Sequence, residues 1–497
     1  MPIFFEKHRE NLMRYTKIAE AKPFEGKPAI NLASVFGASP KKEIILRIPV
    51  SGKRPITYSV EGLPDGLTLK NGIITGAVAT EGDYEITLIA ENALGRDEKK
   101  LTLEIYPEHV LVAPLLGFTS WNAFGPDVTQ SDIEAVAERM VDLGITEYGY
   151  SYVNLDSGWQ HSYGGKYDAI MPSAKFPDMK AMTDKVHSLG LKCGIYSTPM
   201  LTAWGCPDEL PSIPGCTVGE PDYRFPAPNG GIGVIRKERN NALQWQEWGF
   251  DYLKYDWQPT DPVNADLMRC ELMKLDRDFG FCVTVHAMKE YDGYLSRFCN
   301  SFRDNIDSYG HWQNLLMIYY SYFKRYDSGK RGHYFDLDML DIGTCKMKQV
   351  RRELSEDEQI MAFTMRAFFN SPIQISSTLE NVSSFELSLY CNEEMIALNQ
   401  DAAFANAIPI FAHEPEGRKI HVFEKPLYNG DYAYAIFNVG EGDANFSFDF
   451  GGECSVRDVW AKEDIASAST WTHTSVKHSV RVVRCSSKAD KISAESI

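Results

Sequence analysis

Asn240-Asn241-Ala242-Leu243-Gln244-Trp245-Gln246-Glu247-Trp248-Gly249-Phe250-Asp251-Tyr252-Leu253-Lys254-Tyr255-Asp256 joins a helical stretch, Asn240–Trp248, to a short apolar run, Tyr252–Asp256, that ends on a carboxylate. The same alternation continues on both sides. Strand-like runs are predicted at Leu115–Asn122, Tyr152–Asp156, Lys192–Tyr196, Cys282–His286, Ser301–Asp307, Phe335–Leu340 and Pro372–Ser376. Helical patterns are predicted at Ser131–Leu143, Met179–Leu189, Asn264–Phe279, Ser355–Phe369 and Leu387–Leu398. Eight strands, most of them separated by helices, over about 285 residues are the arithmetic of a (β/α)8 TIM barrel. A doubly wound sheet would carry a Gly-rich turn after its first strand, and Asn122-Ala123-Phe124-Gly125 is a poor version of one.

Working outward, the texture changes at both ends. Four regions are expected: a leader at 1–22, helical over Lys7–Ala21; a β-sandwich at 23–107; the barrel at 113–400; and an antiparallel β-sandwich at 401–497. The first sandwich rests on alternating runs such as Glu43–Val50, Ile56–Val60 and Tyr84–Ala90 between Gly/Pro/Asn/Asp turns. The second rests on Ile420–Phe423, Tyr432–Asn438, Asn445–Phe450, Val456–Val459 and Val480–Val483.

The 497 residues carry 51 Lys plus Arg against 68 Asp plus Glu, a formal charge of −17. That balance argues against nucleic acid or an anionic membrane as a partner, since both reward clustered cations. No apolar run approaches the ~20 residues of a membrane-spanning helix. Glu6, Lys7, Arg9 and Glu10 stand where a signal peptide needs its apolar stretch, which predicts a cytoplasmic protein, or a periplasmic or secreted one whose leader has been removed. Ten cysteines are too sparse for a disulfide scaffold; Cys206 and Cys216 lie close enough in sequence to bridge one loop.

Residues at the carboxyl ends of barrel strands line the active site. Here they are Asp156, Tyr196, Asp256, His286, Asp307 and Asp338. Four aspartates converging on one rim repel one another unless chemistry uses them. Metal sites in barrels mix several His with carboxylates, whereas this rim offers His286, with His311 and His333 further along the chain. Glycosyl transfer needs paired carboxylates and aromatic platforms, and Trp121, Trp159, Tyr196, Trp204 and Trp257 stand at or beyond strand ends. Carbohydrate chemistry fits better.

Two regions carry a family resemblance. Leu63-Pro64-Asp65-Gly66-Leu67, Asn71-Gly72-Ile73-Ile74-Thr75-Gly76 and Gly82-Asp83-Tyr84 resemble Ig-like modules fused to bacterial glycoside hydrolases. Leu116-Gly117-Phe118-Thr119-Ser120-Trp121-Asn122, Tyr152-Val153-Asn154-Leu155-Asp156, Gly194-Ile195-Tyr196-Ser197, Tyr252-Leu253-Lys254-Tyr255-Asp256, Asp336-Leu337-Asp338-Met339-Leu340 and Leu398-Asn399-Gln400-Asp401 resemble, in order, glycoside hydrolase family 27, the α-galactosidase (melibiase) family. The resemblance implies a retaining exo-glycosidase acting on an oligosaccharide or glycoside, with no cofactor and no metal; a homodimer is permitted. It assigns Asp256 as nucleophile and Asp307, four residues after Arg303, as acid/base, with Asp304 a weaker rival. It places Trp121, Asp156, Tyr196, Lys254, Arg303 and Asp338 around the sugar, with the Lys254 ammonium keeping Asp256 ionised.

The departures are as informative. Ser157 stands where the family has a second Asp, and His286 where it has a Glu or Ser. Losing hydrogen bonds from sugar hydroxyls to charged partners weakens binding by about 1.5–3 kcal/mol each, or roughly 10²- to 10⁴-fold for two. An altered sugar specificity is therefore expected, a β-L-arabinopyranoside among the options. Two other functions remain open at this point: a carbohydrate-binding or catalytically degenerate barrel, and a metal-dependent hydrolase or lyase using Asp156, His286, Asp338 and His333.

Overall fold

The computed structural model describes residues 14–204, 213–284 and 289–497. Short, doubly buried runs form the central sheet, as expected of parallel strands covered on both faces. They are β1 (Leu116–Thr119), β2 (Tyr152–Asn154), β3 (Lys192–Ser197), β4 (Tyr252–Asp256), β5 (Gly280–Thr284), β6 (Ser301–Phe302), β7 (Tyr334–Phe335) and β8 (Ile373–Ile375). All neighbours pair in parallel, and β8 returns to pair with β1. Between β7 and β8 the ring closes through Leu340: its N–H donates to the Gln374 carbonyl at 2.8 Å, and Ser376 N–H donates to its own carbonyl at 2.9 Å. This is a TIM barrel. A Cβ on Gly194 in β3 would sit 2.1 Å from Asn154 Oδ1, so glycine alone lets that side chain cross beneath the mouth.

Several helices start where side-chain chemistry says they should. Thr129 and Asp132 form a capping box for Gln130–Asp142, as do Ser355 and Glu358 for Glu356–Phe368. The predicted Leu387–Leu398 is two helices, Ser384–Tyr390 and Glu393–Asn399, because Asn392 caps a new start. Trp312–Arg325 is a fourteen-residue helix the periodicity did not reveal.

The leader departs from expectation. Residues 14–21 are not helical; Tyr15 and Thr16 N–H groups donate to the Asp357 carboxylate at 2.9 Å each, and Ala19 N–H donates to the Trp460 carbonyl. Partners on the barrel and the C-terminal domain replace the intrahelical bonds. The stretch before Arg14 lies outside the described residues.

Two sheets, of four and three strands, enclose a separate N-terminal core that includes Ile74, Leu88, Ala90 and Leu103. They meet the barrel at the amino ends of its strands. Glu147, just ahead of β2, receives Arg47, Arg54 and the Val50 N–H. Asp278, just ahead of β5, receives the Ser39 N–H. Lys192, opening β3, lies over Phe36. This unit therefore forms a base at the end opposite the mouth.

The C-terminal strands, from Ile408–His413 to Lys491–Ser496, build a β-sandwich whose inner residues Phe423, Phe437 and Trp460 belong to the barrel's own core. Lys425 is buried at that junction, its ammonium donating to Asn370 and to the carbonyls of Phe368 and Leu398 at the ends of two helices. Helix C-termini favour a cation in this position, but burial outweighs them and lowers the Lys425 pKa to about 7.

Candidate active site

Asp256 is the last residue of β4, where the strand opens into the mouth, and Lys254 lies two residues earlier on the same face. Asp156 stands two residues beyond β2, its N–H donating to Ser120 Oγ at 2.9 Å. Lys254 Nζ donates to Asp156 Oδ2 at 2.7 Å. The Lys254 ammonium is thus bound to Asp156 rather than to Asp256. Burial disfavours its charge, but Asp156 and Asp256 outweigh burial and raise its pKa.

Two hydroxyls hold Asp256. Tyr196 Oη donates to Oδ2 and Thr284 Oγ1 to Oδ1, each at 3.0 Å. Burial pushes the Asp256 carboxyl up to about 6, against the pull of Lys254 and Arg303 and with the push of Asp307 and Asp156. Lys254 acts in the expected direction, favouring the ionised carboxylate, but desolvation is the larger effect.

Arg303 follows the two-residue β6 and is 2% exposed. One guanidinium nitrogen donates to Asp307 Oδ1 at 2.8 Å and the other pairs with Asp338. Asp307 is not a strand-end residue; it lies five positions past β6 in a loop, and a third of its side chain is open to solvent. Tyr309 Oη reaches its other oxygen at 3.5 Å. Asp338, three residues past β7, has a left-handed backbone (φ 66°). Its N–H donates to Asp336 Oδ1, and its own carboxylate accepts the Ser308 N–H at 2.7 Å. Burial works against its charge, but Arg303 and Lys254 hold its pKa below the usual carboxylate range. Burial and the neighbouring Asp338 push Asp336 up to about 6.

Asp304 is separated from this group by a salt bridge to Arg325 at 2.8 Å. Ser157 is buried and donates its hydroxyl to the Trp204 carbonyl. Trp121 is half-buried in the helical turn Ser120–Phe124 after β1. Trp159 and Trp257 are core rather than platforms: both are fully buried, with indole N–H groups given to the Tyr196 carbonyl and to Asp261. His333 precedes β7, at the base end, and its Nδ1–H donates to the Cys299 carbonyl; burial lowers its pKa to about 4. It does not join the mouth. His286 and Cys206 lie outside the described residues, among which no cluster of three or more His, Cys, Asp or Glu is arranged to hold a metal. No described helix is long and apolar enough to cross a membrane.

Sequence reasoning missed Thr284, Tyr309 and Asp336. Thr284 was findable, because it sits in register beside Asp256 on the next strand.

Carboxylates crowded at the open end of a barrel, three of them beside cations and one between hydroxyls, define an O-glycosyl hydrolase, and known proteins narrow that class. A family model described as alpha galactosidase A matches residues 125–214 and 225–401. A second, the alpha galactosidase C-terminal beta sandwich domain, matches 417–485. The chain belongs to the alpha-galactosidase A (melibiase) family, glycoside hydrolase family 27. It is 28% identical to alpha-galactosidase A of Cellvibrio japonicus over 362 residues, covering 69% of this chain and 80% of that protein. A solved structure from Bacteroides fragilis, provisionally assigned as an alpha-galactosidase/melibiase, superposes with a TM-score of 0.82 at 29% identity, covering 93% of this chain and 98% of that one. That coverage exceeds the span of the two family models. A GH27 β-L-arabinopyranosidase from Geobacillus stearothermophilus shares the fold, with a TM-score of 0.66 at 20% identity over 76% of this chain and 97% of that one.

Proposed function

We propose that this glycoside hydrolase is a retaining exo-glycosidase in which Asp256 is the nucleophile and Asp307 the acid/base. Asp256 attacks the anomeric carbon while Asp307 gives its proton to the leaving oxygen, forming a glycosyl ester; Asp307 then takes a proton from the water that releases the sugar. The observation that carries the reading is the pairing of a buried carboxylate at the end of β4, held by two hydroxyls, with a partly open carboxylate on Arg303. The first is sheltered for covalent chemistry. The second is accessible to water and to a leaving group. Asp156, Lys254, Arg303, Asp338 and Tyr196 surround the sugar in this scheme, with Trp121 at its edge.

The sugar differs from an ordinary galactoside in this reading. Ser157 replaces a carboxylate, and its hydroxyl proton is committed to the Trp204 carbonyl, so a hydroxymethyl group finds no charged acceptor there. A glycone lacking that group, as a β-L-arabinopyranoside does, loses nothing by the change. The test is a panel of aryl α-galactosides, β-L-arabinopyranosides and related glycosides, assayed with wild type and Asp256→Ala, with product configuration followed by NMR. Release of one sugar with retained configuration, abolished by the substitution, supports the reading. Inversion, or turnover that survives the substitution, overturns it.

A further inference from the structure

Asp256 and Thr284 are the last residues of adjacent parallel strands, and the register pairs them directly. Partners in register send their side chains to the same face of a sheet. Thr284 is buried, and its carbonyl accepts the Trp257 N–H at 3.1 Å and the Thr260 hydroxyl at 3.2 Å. The chain leaving Asp256 therefore folds back over Thr284 and fixes its backbone. A β-branched side chain has a restricted χ1, and in the rotamer adopted here the hydroxyl points at Asp256 Oδ1.

We infer that Thr284 is a positioning residue for the nucleophile: with Tyr196 on the other oxygen, it sets the plane of the Asp256 carboxylate and favours its ionised form. This rests on the assignment of Asp256 as nucleophile. Thr284 transfers no proton. Its hydroxyl keeps its hydrogen throughout, donating first to the carboxylate and then to the ester formed when Asp256 bonds the anomeric carbon. Tyr196 alone leaves rotation about the Asp256 side chain unopposed on the β5 side. A hydrogen bond to the charged form lowers a carboxyl's pKa, and at this buried site it acts against desolvation.

Thr284→Val keeps the shape and removes the hydroxyl. On an activated aryl glycoside, kcat/KM is expected to fall about 10- to 100-fold, and the acid limb of its pH profile to move up by about one unit. Thr284→Ser should restore both. An acid limb that stays in place in Thr284→Val, or a Thr284→Ser as impaired as Thr284→Val, overturns the inference, since a packing role alone predicts those results. Should wild type release no sugar from any glycoside, the functional reading fails separately. The Asp256 carboxyl is then titrated by 13C NMR, with Asp256→Asn assigning the signal. An upward shift in Thr284→Val supports the role of Thr284, and an unmoved titration contradicts it.

Discussion

The two ends of the barrel use the same chemistry to opposite purpose. At the base, one buried carboxylate, Glu147, receives two guanidinium groups and a backbone N–H. At the mouth, Asp156, Asp256, Asp307, Asp336 and Asp338 share two cations, Lys254 and Arg303. The base is over-supplied with donors and the mouth is short of them. A carboxylate with spare donors has nothing left to do but hold two domains together. A carboxylate left short keeps negative charge available for a cationic, oxocarbenium-like transition state. The difference between a structural and a chemical cluster is thus the ratio of charges, not their presence.

Substitutions at each end should dissociate activity from stability. Asp256→Asn is expected to lower kcat/KM by about 10³-fold or more. The same variant should be more stable than wild type above pH 6. Because the folded pKa of Asp256 lies above its unfolded value, its contribution is favourable at low pH and is lost as pH rises through about 6. Urea unfolding at pH 5 and pH 8 checks this, and a variant destabilised at pH 8 would contradict it. For the same reason kcat/KM of the wild type should fall as pH drops through about 6, where Asp256 takes up a proton.

At the base the pattern reverses. Glu147→Gln leaves Arg47 and Arg54, each partly exposed, without their carboxylate. We expect a loss of about 1–3 kcal/mol in unfolding free energy, with kcat/KM of the folded protein within about twofold of wild type. A large loss of activity in a fully folded Glu147→Gln would show that the base communicates with the mouth and would break the contrast.

The C-terminal junction should behave like the base, with smaller effects. Lys425→Met strips the donors from the Phe368 and Leu398 carbonyls and from Asn370. A cost of about 1–3 kcal/mol follows for acceptors left buried and unpaired. The smallest effect belongs to His478, which stacks on Trp312 and bonds Glu358 and Glu441 through its two ring nitrogens. Burial opposes its charge, but those carboxylates raise its pKa. Its contribution is therefore complete below the unfolded value near 6.5 and is lost as pH rises through the folded one. Glu441 is largely exposed to solvent, so His478→Gln should remove only about 0.5 kcal/mol of pH-dependent stability, seen as a flatter melting profile between pH 6 and 8.

How much of this was legible in the sequence depends on what held each residue. Asp156 and Asp256 were readable because strand periodicity carries them to the rim. Asp307 and Asp338 reached the rim through predicted strands, Ser301–Asp307 and Phe335–Leu340, that are too long: β6 and β7 have only two residues each, and both aspartates sit in loops beyond them. The helix Trp312–Arg325 was missed because apolar residues stand on both of its faces and blur the stripe in the sequence. Leu315, Ile318, Tyr319 and Tyr322 face the core, Tyr319 against Phe369, Phe423 and Phe437, while Met317 is exposed on the other side. The strand Glu463–Ser475 was missed for the opposite reason, its outward residues being mostly Ser and Thr with Trp471 as the one large inward anchor. The leader's conformation is set by Asp357 and Trp460, hundreds of residues away.

The most direct test of the charge-short mouth is covalent trapping. A 5-fluoro glycosyl fluoride of whichever sugar the panel identifies is incubated with the enzyme, and the digest is read by mass spectrometry. The account predicts one glycosyl group, carried by the peptide containing Asp256 and absent from Asp256→Asn. An adduct on another carboxylate, or steady turnover with no adduct at all, would contradict it.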